Sequence, residues 1–134
     1  MKLNDRQRAF LAERRFGSLA TVGPNGTPHQ TVMWYLLDED EIVFNTARER
    51  VKPSNLSRDP RVSLLVFDEY RFVRVTGRVR EAATGAEGHR DIERLAVRYD
   101  GEASAARQMV RFRTQERVSY RFAIERVYAS ADLR

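Results

Sequence analysis

The chain has 134 residues, 42% of them hydrophobic and 32% charged, with a net charge of +5, which suits one ordinary folded domain rather than a disordered chain. Cysteine is absent and His29 and His89 are the only histidines, which excludes disulfides, thiolate metal sites, iron–sulfur clusters and cysteine nucleophiles and leaves little for zinc, so no metal is expected. No apolar run is long enough to span a bilayer and "MKLNDRQRAFLAERR" is too polar for a secretory signal, so a cytoplasmic protein with no membrane partner is expected.

From Leu3 to Arg15, the apolar Leu3, Ala9, Phe10 and Leu11 stand among charged neighbours and Asn4 or Asp5 is placed to cap, so the pattern predicts an amphipathic helix. "FGSLATV" reads as a short apolar strand, and "GPNGTP" as its hairpin turn, since Asn25-Gly26 tolerates positive φ. "HQTVMWYLL" follows as one strand, apolar on both faces: Gln30, Val32, Trp34 and Leu36 on one, Thr31, Met33, Tyr35 and Leu37 on the other. One face can meet a barrel interior; the other requires a second layer, a partner subunit or a ligand. "DEDE" is a turn and "IVFNT" the third strand.

Next comes "TARERVKPSNLSRDP". With the backbone extended, Arg48, Arg50 and Lys52 share a face and their cations converge. Pro53 suits the first position of a short helix "PSNLSR", ended by Asp59-Pro60, whose free N–H groups would face the cations. Basic side chains at a helix N-terminus suit a phosphate; the alternative is that these arginines are solvated and the helix merely connects two strands. Walker and dinucleotide glycine motifs are missing, so side chains would have to hold the anion.

"RVSLLVF" and "RFVRVTGRVR" are further strands, the second with Val73, Val75 and Val79 opposite Arg74, Thr76, Arg78 and Arg80. "AATGAEGHRDIERLAVRYDG" and "EASAARQMVRFR" read as helices punctuated by Gly101, and "ERVSYRFAIERVYAS" as one closing strand. Strands joined by tight turns predict a mainly β, α+β chain: an antiparallel barrel with an N-terminal helix and peripheral helices, in one domain over residues 1–134.

The excess of base over acid does not by itself indicate nucleic acid. Lys2 and Lys52 are the only lysines, and the arginines are scattered rather than gathered into an aromatic-lined stripe. Lys52 stands out, because lysine offers phosphate a compact point charge.

"LATV" followed by "NGTPH", the strand "QTVMWY", the basic "RERVK", the run "NLSRDPRVSLLV" and the ending "SYRFAIERVYAS" occur in this order between Gly17 and Ser130. Together they resemble the split-barrel superfamily named after pyridoxamine 5′-phosphate oxidase, and most closely its branch using the deazaflavin coenzyme F420. The resemblance implies an FMN-binding-like split β-barrel, a homodimer with the cofactor at its interface, and hydride transfer to a small organic acceptor. It places Arg50 and Lys52 on the cofactor phosphate with Arg48, Thr46 and Asn55 assisting, and Gln30, Val32 and Trp34 along the ring. FMN is the alternative cofactor, and a non-catalytic flavin or haem carrier the alternative role. Trp34 is equally readable as core, and Tyr35, Tyr70, Tyr120 and His29 as structural or surface residues rather than proton donors. Val32 stands where the family often has proline, and the C-terminal substrate signature of full pyridoxamine phosphate oxidases is missing.

Overall fold

The computed structural model describes residues 3–134, apart from the side chain of Ala82. Its elements are α1 (Asp5–Ala12), β1 (Gly17–Val22), β2 (Pro28–Met33), β3 (Leu36–Asp38), β4 (Glu41–Ala47), α2 (Val51–Arg58), β5 (Arg61–Asp68), β6 (Arg71–Ala83), α3 (Gly85–Phe112), β7 (Arg117–Ala123) and β8 (Arg126–Ala129). Every strand pairing is antiparallel, and the strands run in the order β2-β1-β5-β6-β7-β4-β3, with β8 also on β6. β6 belongs to both halves: Val73–Thr76 pairs with β8, and Val79–Ala83 with β7. This curled antiparallel sheet is a split barrel, as the strand spacing predicts.

α1 begins where Asn4 predicts. The Asn4 side chain accepts from the Gln7 N–H (2.8 Å), and Gln7 accepts from the Asn4 N–H (3.0 Å), closing a capping box. The helix ends at Ala12, short of the expected Arg15. Its last carbonyls, which have no partner within the helix, are taken by side chains instead. Arg15 donates to Phe10 (2.7 Å), the Tyr35 hydroxyl to Leu11 (2.7 Å), and Arg98 to Ala12 (3.1 Å) and Glu13 (3.0 Å).

Two predicted strands are each two strands. The run His29–Leu37 breaks after Met33, so β2 pairs with β1 while β3 pairs with β4 in the other half. Tyr35, at the crossing, is fully buried in the main core beside Phe44, Phe122 and Leu19. The doubly apolar pattern thus records a change of sheet, not one strand covered on both sides. The closing strand breaks likewise at Ile124–Glu125, where the Glu125 N–H donates to Thr76 (2.9 Å). Gly77 makes that crossing possible: a Cβ there would collide with the Ala123 carbonyl and come within 2.9 Å of the Phe122 ring.

The expected pair of helices is α3, interrupted at Gly101 with φ 85°. That conformation is open to glycine at no steric cost. The segment starts later than expected, at Gly85, because β6 continues through Ala83. Ile92, Leu95, Tyr99, Met109 and Phe112 of α3 form a second buried cluster, against which Trp34 and Leu36 pack. A void therefore lies where β2, the start of α2 and the end of α3 meet.

Candidate functional site

β4 ends at Ala47, and the Arg50 N–H returns to the Ala47 carbonyl (3.1 Å) in a tight turn. Arg50 is extended (φ −80°, ψ 173°) as the N-cap of α2, which starts at Val51 rather than at Pro53. Pro53 is then the third helical residue, where its missing N–H would have had no intrahelical partner anyway. This tight turn scatters the three cations that an extended chain would have aligned. Arg48 turns away to Glu81 (3.0 Å) and Glu116 (3.3 Å), and its hydrogen bond to Glu81 and the charges of both acids raise its pKa. Arg50 and Lys52 remain together.

Both line a cavity of about 270 Å³, with Val32 and Trp34 on one side and Thr46 beneath. Lys52 is only 4% exposed. Burial, and secondarily the charge of Arg50, lowers its pKa. Two further cations complete the lining, Arg111 from α3 and Arg117 from β7. Arg117 is buried and fixed from several sides. Its Nε donates to Asn45 Oδ1 (2.9 Å), its Nη1 to Gln115 Oε1 (2.8 Å), and its guanidinium stands 4.8 Å from the Phe112 ring centroid. Asn45 in turn donates to Ser119 Oγ and the Gly88 carbonyl, both at 2.9 Å. Burial, with the charge of Arg50, pushes the Arg117 pKa down to about 10, so the group stays protonated at neutral pH.

Among the described residues, none of Arg50, Lys52, Arg111 and Arg117 takes part in an ion pair. Arg50 and Arg111 are exposed, but Lys52 and Arg117 are buried, and desolvated positive charge without a paired acid is unfavourable. An anionic ligand would offset it. In the same wall the Thr31 hydroxyl oxygen is buried without a hydrogen-bond partner. Arg50, Lys52 and Arg117 are the residues of this lining that could hold an anionic group such as a cofactor phosphate.

Of the residues singled out from sequence, Val32, Trp34, Thr46, Arg50 and Lys52 line the cavity. Gln30, Arg48 and Asn55 do not. Gln30 is on the exposed side of β2, opposite Ala20 in register. Asn55 is 1% exposed and ties α2 to β1, its Nδ2 donating to Thr21 Oγ1 (3.1 Å) while its Oδ1 accepts from Arg58 (2.8 Å). Trp34 is both wall and packing, stacked on Tyr99 with centroids 5.3 Å apart. Tyr35 spends its hydroxyl on Leu11, and burial pushes its pKa up; Tyr70 is 94% exposed; none of Tyr35, Tyr70, Tyr120 and His29 lines the cavity. Asn45, Arg111, Phe112 and Arg117 were not legible, because the contacts that bring them here cross 43 or more residues.

A family model described as pyridoxamine 5′-phosphate oxidase matches residues 3–131. The chain belongs to that family. Among solved structures, a conserved hypothetical protein of Mycobacterium tuberculosis is 31% identical with a TM-score of 0.79, over 95% of this chain and 84% of that one. A protein described as an F420 reductase is 26% identical with a TM-score of 0.72, over 90% of this chain and 94% of that one. A haem storage protein from Vibrio cholerae shares the fold at 17% identity and a TM-score of 0.70, over 96% and 94% of the two chains. No curated protein sequence matches the chain. Family membership agrees with the split barrel and with a cofactor-binding oxidoreductase class; no described helix is long and apolar enough to cross a membrane.

Proposed function

We propose that this protein binds coenzyme F420 in the cavity beside Trp34 and serves hydride transfer to a small organic acceptor. The observation that carries the reading is the group of four cations, unpaired among the described residues, around a cavity that adjoins the only tryptophan. Likeness to an F420 reductase supports the deazaflavin over FMN, whose phosphate the same cations would also accept. When bound, such a cofactor supplies the hydride itself. The chain's own part is to hold and orient. Lys52 and Arg50 neutralise the phosphate, Arg117 does so from β7, and Thr46 and Trp34 shape the wall. Arg117 is pre-positioned by Asn45 and Gln115, so little ordering is needed on binding.

The reading includes a homodimer. Val32 is 69% exposed yet lines the cavity, and it also lines a hollow with Phe16 and Phe67, themselves 59% and 57% exposed. An apolar surface running into the cavity rim is suited to a second copy that closes the site. Localisation in the cytoplasm remains part of this proposal.

The test is titration of the purified protein with F420 and, separately, with FMN, followed by cofactor fluorescence. Tight F420 and weak FMN binding is the expected result; the reverse preference makes the protein an FMN enzyme, and binding of neither overturns the cofactor reading. Sedimentation of the wild type is expected to give a dimer, and Phe67→Glu a monomer with weakened cofactor binding. A wild-type monomer that still binds cofactor would contradict the interfacial site.

A further inference from the structure

Arginines face each other across neighbouring strands at two places along β6. Arg80 is directly opposite Arg121 of β7, and Arg78 is directly opposite Arg61 of β5. Like charges in that position repel one another. At the first place a single carboxylate offsets the repulsion, since Glu41 is 2.8 Å from Arg80 and 3.5 Å from Arg121. At the second place Asp59 is taken by Arg61 alone, which donates to it from Nε (3.0 Å) and Nη2 (2.7 Å). Among the described residues Arg78 has no ion-pair partner.

Arg61 and Arg78 border a hollow of about 760 Å³ on the outside of the barrel. Its floor is one transverse row of the sheet, Ala20, Ser63 and Thr76, opposite one another in register, and the row ends at Arg126, opposite Thr76. Small side chains on three adjacent strands keep that floor low. Arg61 and Arg78 are two residues further along β5 and β6, on the same face, and so form its wall. Arg126, like Arg78, is exposed and has no acidic partner among the described residues. Glu125 is the one acid of the lining. The hollow shares no lining residue with the Lys52 cavity, and the Phe67 surface proposed for a second copy is at the other end of β5.

We infer that this hollow is a separate anion site that takes a diphosphate group. One phosphoryl group lies between Arg61 and Arg78, in the role that Glu41 has between Arg80 and Arg121. The other lies toward Arg126, with the Ser63 and Thr76 hydroxyls as further donors. Two linked oxyanions are required because Arg126 is one strand over and two residues along from Arg78, a diagonal of about 7 to 8 Å, which a single phosphate bound between Arg61 and Arg78 does not bridge. The guanidinium fork suits this chemistry better than a point charge. Glu125 opposes it and limits the charge the site accepts. The assignment does not depend on the cofactor reading above.

The experiment titrates inorganic pyrophosphate, and separately ADP, into the full chain and follows backbone amide shifts by NMR. Wild type is expected to show saturable shifts at Ala20, Ser63, Thr76 and Gly77, weakening as salt is raised. Those shifts should persist in Lys52→Ala, which alters only the other cavity. In Arg78→Ala/Arg126→Ala the affinity read at the same amides should fall by roughly tenfold or more, as for loss of a charge-assisted contact. Glu125→Gln should tighten pyrophosphate several-fold, since it removes repulsion and no donor. ADP binding as tightly as pyrophosphate assigns the diphosphate alone as the recognised group, and tighter ADP binding assigns a nucleoside diphosphate as its source. Wild type with no saturable shift at these amides for either probe overturns the site without any variant having to fold. Shifts that vanish in Lys52→Ala, or that keep their affinity in the double arginine variant, overturn it as well.

Discussion

Arginines of the outer network and arginines around the cavity are placed in opposite ways. Where β3, β4, β6 and β7 run side by side, Arg80 is 2.8 Å from Glu41, and Arg121 is 3.0 Å from Asp38 and 3.5 Å from Glu41. The Arg80 hydrogen bond and the neighbouring guanidinium charges hold the Glu41 carboxyl below its usual range. Around the cavity Arg50, Lys52, Arg111 and Arg117 have no such partner among the described residues. A chain with 19 acids had the means to pair them. The contrast separates charge that serves the fold from charge left available to a ligand.

The largest expected effect comes from removing the most buried of the unpaired cations. Lys52→Ala should weaken cofactor binding by about 1 to 3 kcal/mol through loss of a charge-assisted contact. It should not lower the melting temperature of the free protein as a paired residue would, because it also removes an uncompensated buried charge. Unchanged affinity in the folded variant would dissolve the distinction between the two regions. Arg117→Met is expected to weaken both binding and stability, the latter by about 1 to 3 kcal/mol, since Asn45 Oδ1 loses its donor inside the core. Calorimetry beside a binding titration separates the two losses.

Titration of Lys52 gives a signed test. Its pKa is lowered in the folded protein by burial and by Arg50, so between that lowered value and the ordinary lysine value the unfolded chain binds more protons. Stability of the free protein should therefore rise with pH through that window, while cofactor affinity falls as Lys52 loses its charge. Melting curves and binding isotherms over the same alkaline series should move in opposite directions, and Lys52→Met should flatten the stability rise. The smallest effect is expected on the paired side: Arg121→Gln should cost about 0.5 to 1 kcal/mol of stability and leave binding unaltered. A change in affinity there would mean that the outer network reaches the site.

Sequence patterning carried the barrel because that rests on alternation along strands, and it singled out Lys52, which lines the cavity, because lysine is a rare residue type in this chain. It placed the α2 start two residues late because a proline suits either the first or the third helical position. It aligned Arg48 with Arg50 and Lys52 because nothing local announces Glu81 and Glu116, which draw Arg48 away across the sheet. The break after Met33 carries no glycine or proline, so one apolar run concealed two strands. Arg117 was hidden for a related reason: on a strand it reads as one more outward arginine until the register sets it next to Ala47, at the mouth of the turn that delivers Arg50.

The stacking of Trp34 on Tyr99 has a practical side. Because the chain has a single tryptophan, its emission comes from one place, the wall of the cavity that Lys52 and Arg117 also line. A ligand entering that cavity changes the polarity and quenching around the indole. The protein thus carries an intrinsic optical reporter for its own site, readable without a label and in the presence of ligands that do not fluoresce.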